Sequence, residues 1–272
     1  MKQCLKGLVL VWTLATIGLA QAEVAPPATT AAGREALTRC RELASRVKGL
    51  RGNERLAALA EAASNYDRVA EGFAGEPRVA AQASYAAAEL WRRHGSLPFA
   101  ERDYARAAEV DRPRFGPRGL LGSADMQRRQ QRFEDALGTY DKVVEAAANS
   151  PQAQLARLAK AKLLQRMDRL PAAVAAAQVA LECARPGRQV LDACNVLALV
   201  QIQAGDLDAA ERALEYARES VDDLADAEPE RLERQRRAVE AMSGWRALRR
   251  ARDRQTDAAA DAARLEADRK GG

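Results

Sequence analysis

The residue types that carry catalytic chemistry are sparse in this sequence. Its one histidine, His94, lies in the run Arg92-Arg93-His94-Gly95-Ser96. That run reads as the end of a helix, where basic side chains suit the negative pole of the dipole and glycine forms the cap. A Ser-His-Asp or Cys-His site would have to recruit that same histidine from a turn. No cysteine pair has zinc-ligand spacing. No glycine-rich phosphate loop, His-Glu-x-x-His helix or EF-hand loop occurs. The 38 acidic residues alternate with arginine in a way that suits i,i+4 pairing on solvated helix faces. The residues therefore point to no catalytic group, no metal ligand and no cofactor, and to a binding protein and not an enzyme. What recurs is arginine: Arg92-Arg93, Arg128-Arg129 and Gln165-Arg166 return at the same phase of the chain. A ladder of guanidinium groups suits carboxylates.

The elements that hold such a ladder must be helices. Of the 272 residues, 47% are hydrophobic but only 4% aromatic, and alanine supplies most of the apolar count. Alanine is the best helix former and allows close helix contacts. Long β-branched runs of period two are missing, so no sheet is expected. Four segments align without gaps: Gly95-Ser-Leu-Pro-Phe-Ala100, Gln131-Arg-Phe-Glu-Asp-Ala136, Asp168-Arg-Leu-Pro-Ala-Ala173 and Gly205-Asp-Leu-Asp-Ala-Ala210. Each is a turn, a bulky apolar residue two places on, and alanine at the sixth place. Four residues later come Tyr104, Tyr140, Ala177 and Leu214; three further on come Ala107, Val143, Ala180 and Ala217. An earlier, weaker copy fits Ala62, Tyr66 and Val69.

This repeat resembles the tetratricopeptide (TPR) family of helix–turn–helix units. The closest match is Leu197-Ala198 followed by Gly205-Asp206-Leu207-Asp208-Ala209-Ala210. The likeness covers roughly residues 54 to 225. The spacing is two to four residues longer than the family's, and the first-helix aromatic is mostly missing. The resemblance implies an all-α solenoid of about six stacked hairpins, since one hairpin cannot bury its apolar face alone. It also implies a concave groove lined by the first helix of each unit. The expected groove residues are Tyr85, Arg92, Arg93, Leu121, Asp125, Arg128, Arg129, Lys162, Arg166, Asn195 and Leu199. The implied partner is a protein or peptide with an acidic segment.

The sequence divides into a signal peptide at 1–22, a linker at 23–33, repeats over 34–228 and C-terminal capping helices over 229–272. Lys2 and Lys6, an apolar stretch from Leu8 to Ala20 and Ala20-Gln21-Ala22 have the form of a cleaved export signal. Localisation is therefore expected to be periplasmic or secreted, with no transmembrane span after cleavage. Removing the signal's two lysines lowers the net charge from +5 and argues against nucleic acid. The twelve helices expected are 34–48, 54–74, 78–94, 97–111, 117–131, 133–148, 151–168, 171–184, 188–204, 206–225, 229–254 and 257–269. The helix over 229–254 is rich in arginine, so it either caps the last repeat or lies on an anionic surface, with 257–269 folding back on it. Cys183 and Cys194 fall about one turn off register for a disulfide and are expected to be buried small hydrophobes; Cys40 leaves a crosslink between two chains open. Two functions are expected in competition: an envelope scaffold that holds a protein partner, and a self-associating structural component.

Overall fold

A computed structural model describes residues 29–222 and 229–271. The expected signal peptide, most of the linker and residues 223–228 lie outside them. Twelve helices occur among the described residues: α1 (Ala31–Ser45), α2 (Gly52–Gly72), α3 (Pro77–His94), α4 (Leu97–Val110), α5 (Arg112–Arg129), α6 (Phe133–Ala146), α7 (Pro151–Arg166), α8 (Leu170–Glu182), α9 (Arg188–Ala204), α10 (Leu207–Asp222), α11 (Pro229–Glu240) and α12 (Ser243–Gly271). They stack as an all-α solenoid of the TPR type. Five consecutive pairs form hairpins, and each first helix also packs on the next one: α1 on α3, α3 on α5, α5 on α7, α7 on α9.

The aligned turn position explains why the hairpins recur. Gly95, Gln131, Asp168 and Gly205 all have positive φ, at 99°, 63°, 58° and 86°. In every copy the next residue donates its N–H to the carbonyl five back: Ser96 to Trp91, Arg132 to Gln127, Arg169 to Leu164 and Asp206 to Gln201, each at 3.0 Å. This closes the first helix by a Schellman turn. Two copies use glycine for the left-handed residue; the other two tolerate a side chain there at a cost of about 1 kcal/mol. The twelve residues at the three aligned core positions are all buried, none more than 2% exposed. The tyrosines need room opposite. On α5, a Cβ at Gly119 would stand 2.5 Å from the Tyr104 carbonyl oxygen, and one at Gly122 would stand 2.6 Å from the Tyr104 ring. The glycines of this first helix therefore replace the missing aromatic with space for the neighbour's.

Several expectations need correction. The linker expected to run to 33 gives way earlier, because the Thr30 hydroxyl accepts from the Gly33 N–H at 3.0 Å and caps α1. Helix α5 starts at Arg112, not 117: Pro113 sits in the first turn, where its missing N–H has no partner to lose, and Pro117 costs one intrahelical bond. The arginine-rich helix over 229–254 does not exist as one helix. It breaks at 241–242, because the backbone N–H of Gly244 donates to Asn195 Oδ1 at 2.9 Å on α9. A Cβ at Gly244 would lie 2.8 Å from Leu214, so only glycine allows so close an approach. The segment 257–269 does not fold back either. Nothing between 254 and 257 breaks a helix, and α12 runs through. Rather than forming a sixth hairpin, α11 and α12 pack on α9 and α10, and α12 takes the place that a further first helix would. Val239, Met242 and Leu248 are buried there. No described helix is long and apolar enough to cross a membrane.

The three described cysteines are unbridged. Cys194 is fully buried, and burial pushes its thiol up to about 12. Cys40 is also buried and raised. Cys183, expected to be buried, is exposed at the end of α8.

Candidate partner-binding groove

The first helices α3, α5, α7 and α9 curve around a groove of about 710 Å³. Eight of the expected residues line it: Tyr85, Arg92, Leu121, Asp125, Arg128, Lys162, Arg166 and Asn195. Arg93, Arg129 and Leu199 do not. Residues i and i+1 on a helix point about 100° apart, so only one arginine of each adjacent pair can face the groove. Arg93 and Arg129 are exposed away from the groove lining, and the Leu199 carbonyl meets Gln165 Nε2 at 3.3 Å. Asn195 reaches the groove but is engaged in holding the start of α12.

The groove changes character along its length. At α3, Glu89 accepts from Arg92 at 2.7 Å and from the Tyr104 hydroxyl. At α5 the same set recurs one repeat later, with Asp125 paired to Arg128 and both facing Tyr140. Burial raises both tyrosines above the ordinary phenol range, and at Tyr104 the Glu89 carboxylate adds to it. Arg92 and Arg128 are raised by their carboxylate partners and stay charged. These two sets are neutral overall.

At α7 the pattern changes. Lys162 replaces the carboxylate, Ala177 replaces the tyrosine, and Arg166 stands four residues from Lys162. Neither cation takes part in an ion pair among the described residues. Arg166 lies 5.4 Å from the centre of the Phe133 ring. Arg118, which sequence reasoning missed, joins them from α5 and lies 5.2 Å over the Tyr85 ring. Of the other lining groups, Asp192 is taken by Arg188 at 3.0 Å. The groove thus carries three cations with no counter-charge, beside an apolar floor of Leu121, Leu158 and the exposed Leu155. Arginine and lysine so placed accept a carboxylate, and the leucines accept an apolar side chain next to it.

A second polar centre lies outside the groove. Asp103, wholly buried on α4, accepts from Arg102 Nε at 2.7 Å. Asp67 on α2 accepts from Trp91 Nε1 and from Arg102, each at 3.1 Å. Burial pushes the Asp103 carboxyl up to about 6, and Asp67 adds to the shift against the opposing effect of Arg102. An acid raised in the folded state binds more protons there than in the unfolded chain. Its stability contribution is complete below the unfolded value near 4 and is lost as pH rises through about 6. Asp103→Asn should therefore leave stability unchanged at pH 4 and raise it by about 3 kcal/mol at pH 7.5. Thermal unfolding of both proteins across that range checks this, and an equal difference at both ends would refute it.

His94 ends α3 as expected, with its Nδ1 2.7 Å from Ser96 Oγ and Gly95 as the cap. Among the described residues no group of three or more His, Cys, Asp or Glu gathers as a metal site requires.

Neither a protein-family model nor a curated protein matches the sequence. Among solved structures the chain is similar to a tetratricopeptide repeat protein from Parabacteroides merdae ATCC 43184, at 16% identity over 79% of this chain and 76% of that one, with a TM-score of 0.52. It is also similar to BtubC (BKLC) from P. vanneervenii, at 19% identity over 74% of this chain and 92% of that one, with a TM-score of 0.51. At these identities the likeness concerns the fold.

Proposed function

From a chain whose fold is of the tetratricopeptide type, we propose a scaffold, exported to the cell envelope, that holds a protein partner by an acidic, leucine-containing segment in its concave groove. One observation carries this reading. Arg118, Lys162 and Arg166 converge on the groove without counter-charge, although most of the chain's other groove charges are paired. Three unpaired cations in one concavity repel one another, and an acidic segment relieves that repulsion while forming charge-assisted hydrogen bonds. Lys2, Lys6, the apolar stretch to Ala20 and Ala20-Gln21-Ala22 support export. A photo-crosslinking amino acid in place of Leu155, inside the groove, tests the reading in cells; the comparison is the same group in place of exposed Val179 on the outer helix α8. The position at 155 should capture a defined partner, in a band that disappears when Lys162 and Arg166 are reversed in charge. The same capture from both positions would refute it.

A further inference from the structure

Beside the groove, at the starts of α3 and α5, lies a separate pocket of about 310 Å³ lined by Arg78, Gln82, Arg114, Phe115 and Arg118. It contains three arginines and no carboxylate. None of the three takes part in an ion pair among the described residues, and Arg78 Nε is buried with no hydrogen-bond partner. None of the nearby acids forms an ion pair with these arginines among the described residues. Glu76 is held by Thr30 through its backbone N–H at 2.9 Å and its hydroxyl at 2.8 Å. Glu89 is held by Arg92 and Tyr104. Asp111, one turn before Arg114, makes no ion pair, and its Oδ2 is also unpartnered.

The placement works against the helix dipole. Arg78 and Arg114 sit in the first turns of their helices, each behind an acidic N-cap, Glu76 on α3 and Asp111 on α5. The helix dipole disfavours cations at that end and favours anions. Glu76 and Asp111 offset part of this at the helix ends, but neither forms an ion pair with the three arginines, whose mutual repulsion does not stabilise the empty pocket. Phe115 closes one side, packed on Tyr85 with ring centres 5.5 Å apart, and so reduces the water that would screen a bound charge.

We propose that this pocket binds a phosphate dianion, either free or as the head of a small phosphate monoester. Planar guanidinium forks match phosphate oxygens in pairs. Three of them, with Gln82 as a further donor, neutralise a doubly charged group better than a single carboxylate. The site is distinct from the acidic-segment reading of the groove, although Arg118 borders both. Arg78 and Arg114 belong to the pocket alone, and Lys162 and Arg166 to the groove alone.

Calorimetric titration of the full chain with inorganic phosphate, and separately with glycerol 3-phosphate, tests this at constant ionic strength and pH 7.5. Saturable binding at one site is expected. R78Q/R114Q should weaken it at least tenfold, and K162E/R166E should leave it within about twofold. If the double variant fails to fold by circular dichroism, Arg114→Gln alone should weaken binding at least threefold. Equal affinity for the two probes identifies free phosphate as sufficient, and tenfold tighter glycerol 3-phosphate identifies the ester; both support the site. No saturable binding of either probe, binding untouched by R78Q/R114Q, or attachment to anionic vesicles without binding of either soluble probe would overturn it.

Discussion

Tyr104→Ala should destabilise the protein by about 3–5 kcal/mol. The ring is only 2% exposed. It fills the space that Gly119 and Gly122 leave on α5, and it meets the Tyr85 edge with ring centres 5.4 Å apart. Neither glycine has a side chain that can move into the void, so a cavity would remain between neighbouring hairpins. The loss also has an electrostatic part, because Glu89 would lose the phenol that donates to it. Tyr104→Phe separates the two effects. It keeps the ring and should cost about 1 kcal/mol, the net value of one hydrogen bond. Chemical denaturation followed by circular dichroism measures both. An alanine variant within 1 kcal/mol of the parent would show that α4 and α5 are not held together by this ring.

The second large effect concerns the groove. Reversing Lys162 and Arg166 to glutamate should weaken binding of an acidic peptide by about 100-fold, or about 3 kcal/mol. Each reversal removes an attraction and adds a repulsion of similar size. Both side chains lie exposed in the groove with no carboxylate to compete for them, so their charge is available to a ligand. Arg92 and Arg128 differ. Their charge is already balanced by Glu89 and Asp125, so Arg92→Gln does not simply subtract a ligand contact; it leaves Glu89 uncompensated and repels the peptide. The effect of each groove arginine thus depends on its partner as well as its position.

Much of the fold was legible because the repeat constrains it at many places at once. Aligning four turns assigned Gln131 and Asp168 the same place as Gly95 and Gly205, and all four are left-handed. The same alignment marked Tyr104, Tyr140 and Leu214 as one recurring position, and all three are buried. The break at 241–242 was not legible, since it depends on Asn195, 49 residues away from Gly244. Before the fold was known, nothing local distinguished Ser243-Gly244 from a tolerated glycine inside a helix. The groove was read partly. The shared phase of the arginine pairs was legible, and Arg92, Arg128 and Arg166 line one concavity, but the neutralisation of Arg92 and Arg128 was overlooked. Glu89 and Asp125 stand three residues before Arg92 and Arg128, a spacing that could have suggested pairing. Arg118 was missed because α5 was expected to start at 117, which leaves residue 118 at a helix end instead of one turn inside it.

In the proposed function the groove face, and not general positive charge, recognises an acidic segment. The most direct test compares two variants in one fluorescence titration with a short labelled peptide rich in Asp, Glu and Leu. K162E/R166E changes the groove; R93E/R129E makes the same change in net charge at exposed positions of α3 and α5 that do not line it. A loss of about 100-fold is expected for the first and no more than about threefold for the second. Equal losses in the two, or none in either, would contradict it.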